Sequence, residues 1–312
     1  MSSAAVPQGA EIPPPRIEEV SAGIFAYVQL DGSWFLNNAG GIVGSTAATV
    51  IDTTGTEARA RAFHAAVRRV TPLPVNALVN THSHGDHTHG NFMFAPAAAI
   101  IAHDRCRREI IAAGHAAHAL FPMVDFGDCP LTPPTVTFQE RLDLYVDDLQ
   151  VQLIFVGPAH TTNDIVAWIP ARKLLFSGDV IFNGGTPFAL GGSVGGWLDA
   201  LDTIAGLGAV TIVPGHGDVC DAGAIEDVRA YLRFVLESAR TGLAANVEPL
   251  ELARGLDLGP FAGLHDRERL VPNLHRAYAE LRGERRGAPL DARRMFEEML
   301  VFNGGQPLRC LA

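Results

Sequence analysis

Short apolar stretches separated by glycine dominate the first part of the chain. Residues 23–29 (GIFAYVQ), 35–44 (FLNNAGGIVG) and 48–53 (ATVIDT) are typical of strands joined by tight turns. In the next stretch, 57–70, the apolar residues recur at helical spacing. The pattern therefore predicts three strands followed by a helix.

Strands and helices then alternate as far as residue 216. Apolar strands are predicted at 75–82, 97–103 and 210–216, and helices at 104–120 and 196–207. Between the two helices lie four strand-like segments with hairpin-like breaks: TVTFQERLDLYV, LQVQLIFVG, DIVAWIP and KLLFSGDVIF. The chain thus has two β-rich blocks, each followed by alternating strands and helices. This order is typical of an α/β fold in which two sheets pack face to face with helices outside.

Beyond His216 the chain is nearly all helical in pattern. Apolar stripes at helical spacing fall within residues 225–236, 270–281 and 292–300. Pro272 must either kink or begin the second of these helices, because proline lacks the backbone N–H. Three helices are therefore expected after the last strand.

The changes in pattern also predict the domain organisation. Residues 1–15 end in three consecutive prolines, which indicates a disordered lead-in. We assign residues 16–220 to a catalytic domain and residues 221–312 to a helical region packed on its core. These C-terminal helices would cap a cleft, form a homodimer contact, or do both.

Charge and composition narrow the classes of partner. The formal net charge of −10 argues against a nucleic-acid partner, because phosphate binding needs a positive patch. The sequence contains no run of 18 apolar residues, so no membrane span is predicted. Its first residues lack the basic and apolar regions of a secretory signal. The four cysteines are scattered and are interpreted as reduced thiols. Together these features predict a cytoplasmic protein.

The stretch VNTHSHGDHTHGN concentrates candidate ligands in one loop. His82 and His84 are two residues apart and point the same way in an extended segment, so they can bind one ion together. Gly85 lets the backbone bend, after which Asp86 and His87 can face a second ion. Imidazole and carboxylate ligands suit zinc, with iron and manganese as the alternatives.

This loop cannot complete two coordination spheres alone. His160, Asp179 and His216 each follow an apolar strand and lie near glycine or proline, where a metal-binding loop is expected. The ordered set H-x-H-x-D-H, histidine, S-G-D and P-G-H-G resembles the pattern of metallo-β-lactamase-fold hydrolases over about residues 16–220. The resemblance implies a four-layer αβ/βα sandwich, here with a C-terminal helical extension.

The resemblance also implies a role for each ligand. One metal would be bound by His82, His84 and His160, the other by Asp86, His87 and His216, with Asp179 as the bridge. Two divalent ions held in this way lower the pKa of a shared water to near 7 and polarise a carbonyl. We therefore assign catalytic roles to Asp86 and Asp179.

Two further polar residues are assigned supporting roles. Asp52 matches a position that holds the metal loop by hydrogen bonding in the family, the alternative being an ordinary strand-end turn residue. His89 adjoins the loop and is assigned a supporting or substrate-contacting role. No role is predicted for the remaining histidines: His64, His103, His115, His118, His265 and His275.

The identity of residue 179 favours particular branches of the family. The bridging position is typically not aspartate in relatives that hydrolyse β-lactams, so Asp179 indicates the thioesterase, lactonase and phosphodiesterase branches. RNA-processing relatives carry an inserted domain and a basic surface, and neither is evident in this sequence. Flavodiiron relatives have a carboxylate near the position of His84, so hydrolysis is favoured over redox chemistry.

Stretches outside the metal loops carry a closer resemblance. Residues 32–44, 185–196, 258–281 and 301–312 resemble metallo-β-lactamase-fold cyclases of bacterial aromatic (type II) polyketide pathways, of the actinorhodin second-ring type. This resemblance implies ring closure and aromatisation of an acyl-carrier-protein-bound polyketide, together with thioester hydrolysis. The alternatives are a generic zinc-dependent thioesterase or lactonase for a small substrate, and a non-enzymatic metal-stabilised binding module.

An aromatic substrate requires a roomy apolar cleft. Trp34 lies in a loop between early strands, and Phe188 and Leu190 follow the strand that carries Asp179, so we predict that these three side chains contact substrate. Phe35 and Phe121 are instead predicted to pack in the core.

Overall fold

Two β-sheets form the centre of the computed structural model, which describes residues 13–312. Most of the predicted lead-in, residues 1–15, lies outside the described residues. The strands are β1 Arg16–Ser21, β2 Ile24–Val28, β3 Ala39–Val43, β4 Ala48–Ile51, β5 Val75–Val79, β6 Ala99–His103, β7 Val136–Phe138, β8 Arg141–Val146, β9 Leu149–Phe155, β10 Ile165–Ile169, β11 Leu174–Phe182 and β12 Thr211–His216.

The order of the strands separates the chain into two sheets. The first sheet has the order β1-β2-β3-β4-β5-β6-β7 and the second β12-β11-β10-β9-β8. β4 to β7 pair in parallel, as do β11 and β12, and the other pairs are antiparallel. The strand at 136–138 therefore closes the first sheet rather than opening the second.

Eight α-helices accompany the two sheets within residues 13–312. They are α1 Glu57–Val70, α2 Gly85–Thr88, α3 Asp104–Ala113, α4 Val194–Leu207, α5 Gly223–Ala244, α6 Pro249–Gly255, α7 Leu270–Leu281 and α8 Ala292–Phe302. Within residues 13–312, no helix combines the length and the apolar character needed to cross a membrane.

The alternation of side chains along the strands produces four layers. In β2, Ile24 and Val28 join the core between the two sheets, whereas Phe25 and Tyr27 point to the opposite face and pack with Phe63 of α1. Successive residues of a strand face opposite sides of its sheet, so both faces of the first sheet are buried. On the other side of the molecule, α4, α5 and α7 cover the second sheet. The predicted αβ/βα sandwich with a C-terminal helical region is confirmed.

The prediction of one helix over 104–120 is wrong. α3 ends at Ala113, because Gly114 has a positive φ of 52° that an α-helix does not accommodate. The chain continues as a 3₁₀ helix over Ala116–Leu120. The predicted helix is therefore two shorter elements with a turn at Gly114.

Within residues 217–312, four α-helices follow the last strand rather than the three expected, because α6 (Pro249–Gly255) was not predicted, and α5 extends to Ala244, beyond the predicted stripe. Pro272 lies in the first turn of α7, where its missing N–H costs no helical hydrogen bond, so it begins the helix rather than kinking it. α8 begins after Asp291, whose side chain accepts from the backbone N–H of Arg294, and it ends just before Gly304.

Candidate metal centre

The histidine loop starts where a buried strand ends. β5 stops at Val79, and the chain then passes through His82 and His84 into the single turn of α2, which begins at Gly85. The loop lies at the carboxyl end of a parallel strand, which is a common position for ligand-binding residues in α/β folds.

The seven predicted metal ligands converge in two clusters. In each cluster the ligand atoms lie within 4.8 Å of one another. The first cluster contains His82, His84, His160 and Asp179, and the second contains Asp86, His87 and His216. These clusters fit a binuclear metal site.

Asp179 lies between the two clusters. Its Oδ2 is 3.2 Å from Nε2 of His160 and 3.8 Å from Nε2 of His82. Its Oδ1 is 3.0 Å from Nε2 of His87, and Oδ2 is 3.4 Å from Nε2 of His216. One carboxylate thus faces ligands of both clusters, which is the geometry that a bridging ligand requires.

The histidine rings are oriented by contacts at Nδ1. Nδ1 of His160 lies 2.5 Å from the carbonyl oxygen of Phe188, and Nδ1 of His216 lies 3.0 Å from that of Gly32. Because a carbonyl oxygen can only accept a hydrogen bond, each Nδ1 carries a proton, and Nε2 is the atom that faces the centre and can bind a metal ion. Such contacts fix the tautomer and orientation of metal-binding histidines.

Several buried atoms of the centre have no hydrogen-bond partner. They are Nε2 of His82, Nε2 of His87 and Oδ1 of Asp179; the last two atoms lie 3.0 Å apart, but their orientation does not form a hydrogen bond. Buried polar atoms are nearly always paired, and divalent cations at the two clusters, one beside His82 and one beside His87, would satisfy all three. The residues present therefore fit the metal ions that the sequence resemblance implied.

Neighbouring carboxylates and burial shift the pKa values of the histidines in opposite directions. Burial disfavours the charged form of His87, but the carboxylates of Asp179 and Asp52 outweigh it and raise the pKa of His87 well above its usual value. At His216 the carboxylates of Asp179 and Asp86 outweigh burial and raise the pKa to about 9. Burial dominates at His160 and lowers its pKa to about 3. His87 and His216 each face more than one carboxylate, whereas His160 faces only Asp179, and this difference accounts for the opposite directions of their pKa shifts.

Asp52 supports both clusters through one hydrogen-bond network. Its Oδ2 accepts from Nδ1 of His87 at 2.9 Å and from the hydroxyl of Thr81 at 2.7 Å. That hydroxyl oxygen in turn lies 3.1 Å from Nδ1 of His82. The resemblance implied a supporting role for Asp52. Its carboxylate contacts His87 of one cluster directly and His82 of the other through the Thr81 hydroxyl.

Asp179 does not follow its strand, as the sequence suggested, but lies within it. β11 continues to Phe182, and its register with β12 shifts on both sides of Gly178. Gly178 has a φ of 49°, and a Cβ there would lie 2.5 Å from the hydroxyl of Thr81. The irregularity at this glycine brings Asp179 to the metal loop without ending the strand.

An aromatic cleft of about 420 Å³ lies directly over the clusters. His84, His160, Asp179 and His216 form part of its lining, as does Asp86. Its apolar walls contain the three predicted contacts, Trp34, Phe188 and Leu190, and four further aromatic side chains, Phe35, Phe121, Phe182 and Phe296. Phe35 and Phe121 therefore line the cleft rather than only packing in the core, which corrects the prediction for both.

Arg269 is a cleft residue that sequence reasoning missed. Its guanidinium carbon lies 3.9 Å from the centre of the Trp34 ring, and its side chain forms an ion pair with Asp266 at 2.9 Å. The neighbouring Glu268 accepts from the indole N–H of Trp34 at 2.7 Å. The sequence before α7 has no local spacing that singles out this arginine.

His89 lies beside the centre and outside the two clusters. Its Nδ1 donates to the carbonyl oxygen of Gly55 at 3.0 Å, and its ring packs against Gly85. Its other close neighbours are His115 and His118, for which no role had been predicted.

Comparison with known proteins identifies the family. A model of the Metallo-beta-lactamase superfamily matches residues 32–216, which include all seven candidate ligands. The chain belongs to the metallo-beta-lactamase superfamily. The match spans both sheets and ends at His216, so it extends beyond the histidine loop alone.

Similar proteins within the superfamily have different names. The chain is 31% identical over 182 residues to the 2,4-dinitroanisole O-demethylase subunit alpha of Nocardioides sp. (strain JS1661), covering 56% of this chain and 51% of the relative. It is 28% identical over 114 residues to the Metallo-beta-lactamase type 2 of Bacteroides fragilis, covering 35% and 45%. The chain thus spans about half the length of these two relatives.

Solved structures agree on the fold. A metallo-beta-lactamase from Pontibacter korlensis has a TM-score of 0.58 and 18% sequence identity, with 70% of this chain and 99% of that chain covered. The three-dimensional arrangement of the two sheets is therefore similar in the two proteins.

Proposed function

We propose that the protein is a binuclear metal-dependent polyketide cyclase that also hydrolyses thioesters, with an aromatic polyketide on an acyl carrier protein as its substrate. The observation that carries this proposal is the aromatic cleft whose floor is the metal centre. A flat, multi-ring carbonyl compound that enters this cleft brings its carbonyl groups to the metal ligands and its rings to aromatic walls.

The cleft has the character that such a substrate needs. Its volume of about 420 Å³ is in the usual range for small-molecule sites, which are mostly apolar with a few placed polar groups. Trp34 packs edge-on against Phe188 with ring centres 5.1 Å apart, and it lies 5.4 Å from Phe121. Aromatic rings contact one another favourably in such tilted and offset arrangements, so these walls suit a fused-ring substrate.

Ions bound at the two clusters would supply an activated water and polarise a carbonyl. The carboxylates of Asp86 and Asp179 lie at the cleft floor, where they hold the ligand rings and can orient a proton donor. Hydrolysis adds one water across the thioester and releases a carboxylic acid and the carrier thiol. Ring closure instead forms one carbon–carbon bond between an enolisable carbon and a ketone, and aromatisation then releases one water.

Two features favour this function over β-lactam hydrolysis. Asp179 lies beside ligands of both clusters, and an aspartate in the bridging role resembles the thioesterase and lactonase branches. In addition, one relative is named for 2,4-dinitroanisole, an aromatic compound, which supports an aromatic substrate for this chain as well.

The test is turnover of a bicyclic polyketide thioester by the full-length protein, followed by mass spectrometry of the products. We expect ring-closed and hydrolysed products that disappear with a chelator and return with zinc. We also expect a kcat/KM at least roughly tenfold above that for acetyl thioester, because the cleft would bury the extra rings.

Two outcomes would contradict the proposal. Faster metal-dependent turnover of the acetyl thioester or of a small lactone would identify the generic hydrolase. Tight metal binding with no metal-dependent turnover of any of these compounds would identify a binding module.

A further inference from the structure

A three-histidine cluster lies beside the metal centre. His89, His115 and His118 each bring one ring nitrogen within 4.8 Å of the others. His89 belongs to the 3₁₀ turn that follows the metal loop, whereas the other two belong to the segment after α3. The cluster therefore joins two parts of the chain that the sheet does not connect directly.

Backbone geometry explains why the rings of His115 and His118 lie side by side. Gly114 ends α3, and the 3₁₀ helix Ala116–Leu120 begins with His115 as its cap. Side chains three residues apart eclipse one another in a 3₁₀ helix. The rings of His115 and His118 accordingly stack, with centres 4.8 Å apart and planes 26° apart, and both lie about as close to His89, at 5.1 and 4.9 Å.

Each ring has a nitrogen available for a ligand. Nδ1 of His89 donates to the carbonyl oxygen of Gly55, which leaves the lone pair of Nε2 free. Nδ1 of His115 and Nε2 of His118 are buried and have no hydrogen-bond partner. Buried polar nitrogens are normally paired. Two buried nitrogens without a hydrogen-bond partner, beside the free lone pair of His89, therefore indicate a ligand that accepts electron pairs, such as a metal ion.

Packing holds the rings in these orientations. His118 stacks on Phe126 with ring centres 3.8 Å apart and planes parallel to within 1°. His89 lies so close to Gly85 that a Cβ at that position would come within 2.3 Å of its ring. Preorganised imidazoles bind a metal ion without the cost of ordering flexible side chains.

We propose that His89, His115 and His118 form a third metal site that binds one zinc ion or a similar transition-metal dication. Three neutral imidazoles and one open position are a ligand set that zinc accepts. His89 and His115 border a pocket of about 480 Å³, through which water can reach the fourth position.

An ion in this site would hold one wall of the aromatic cleft in a fixed position. Ala116, Ala117, Leu120 and Phe121 line that cleft, and all four belong to the segment that carries His115 and His118. The ion would tie this segment to the turn that follows the metal loop. The third site is independent of the substrate proposed above, because it concerns the binding of zinc alone.

The test is the zinc content of the untagged, full-length protein after stripping, reloading with zinc and gel filtration. We expect three zinc ions per chain in the wild type and two in His115→Gln and in His118→Gln. The control His64→Gln changes a histidine on α1 and should keep three. Equal zinc content in the wild type and in folded His115→Gln and His118→Gln would overturn the proposal, whatever the substrate specificity.

A second measurement needs no variant and so avoids any folding defect. In crystals of the wild type grown with zinc, anomalous scattering at the zinc edge should give a peak about 2.0–2.1 Å from one nitrogen of each of the three rings. Absence of that peak in crystals whose main centre is occupied would also overturn the third site.

Discussion

The Nδ1 atom of His87 donates to the Oδ2 atom of Asp52 at 2.9 Å, although the two residues are 35 positions apart in the chain. Both side chains are almost completely buried. Asp52 also accepts from the backbone N–H and the hydroxyl of Thr81, which contacts His82. A carboxylate that binds no ion itself thus orients one ring of each cluster.

Replacing Asp52 should weaken metal binding. Asn is the appropriate substitution, because Asp52 has a φ of 57° and asparagine tolerates that conformation. We expect Asp52→Asn to lower zinc affinity by about 10–100-fold, the usual effect of removing the group behind a histidine ligand. Competition with a chromophoric chelator measures this change.

Asp147→Asn is the matched control for this variant. Asp147 also has a positive φ, of 52°, but it is exposed and accepts from Ser45 on the far side of the sheets. It should bind zinc as the wild type does. Unchanged zinc affinity in Asp52→Asn would show that the network does not orient the ligands.

The glycine before His216 is required by the bridging carboxylate. A Cβ at position 215 would lie 1.9 Å from Oδ1 of Asp179 and 2.7 Å from the backbone of Gly178. We expect Gly215→Ala to displace Asp179 and to reduce the zinc content of the main centre, measured by elemental analysis. A variant that retains both ions would contradict the account of this close contact.

Gly206→Ala serves as the matched control for Gly215→Ala. Gly206 lies near the end of α4, and no atom is within 4 Å of a Cβ built there. Because alanine restricts the unfolded chain and favours helix, this substitution should raise the free energy of unfolding by up to about 1 kcal/mol, with zinc content unchanged.

Shortening a cleft wall should impair turnover of large substrates selectively. Phe188→Ala removes a ring that packs on Trp34 but keeps the hydrogen bond that orients His160, because His160 donates to the backbone oxygen of Phe188. We expect kcat/KM for a bicyclic aromatic thioester to fall roughly 10–100-fold, with little change for acetyl thioester.

Phe234→Ala is the control for the loss of an aromatic ring. Phe234 lies on α5 and packs on Phe261, away from the cleft lining. Its kinetic constants should match those of the wild type on both substrates. Equal losses of Phe188→Ala on the large and the small thioester would refute a substrate-contacting role for this residue.

Arg269 should be irreplaceable by lysine. Its planar guanidinium stacks on Trp34 and donates to the carbonyl oxygen of Thr186 at 3.1 Å, contacts that an ammonium group cannot reproduce together. We expect Arg269→Lys to lower the free energy of unfolding in urea by about 2 kcal/mol, the size of a desolvated cation–π contact. The exposed neighbour Arg267 provides the control Arg267→Lys, which should be neutral. Equal stability of the two variants would contradict this role.

Much of the fold could be predicted from the sequence because its signals are local. α1 occupies residues 57–70 as its apolar period indicated, and most strands lie within predicted segments, although β1 was not predicted and one predicted segment divides into β7 and β8. The interruption at Gly114 was missed, because a glycine within a helical pattern is compatible with either a continuous or a broken helix. The backbone conformation there depends on packing that the sequence alone does not display.

The ligand motif could be read from the sequence, but most of the cleft could not. The H-x-H-x-D-H loop is contiguous, and its spacing alone indicates metal binding. Arg269 reaches Trp34 only because the C-terminal region folds back over the first loops, a contact between residues more than 230 positions apart. The three-histidine cluster likewise depends on the turn at Gly114. Contacts between residues this far apart in the sequence depend on tertiary packing, and no local sequence pattern predicts them.

Anomalous scattering at the zinc edge, from crystals of the reloaded wild type, tests the binuclear centre most directly. We predict two peaks about 3.5–4 Å apart on either side of the Asp179 carboxylate. One peak should contact His82, His84 and His160, and the other Asp86, His87 and His216. A single peak, or none, between these residues in zinc-loaded crystals would contradict the account.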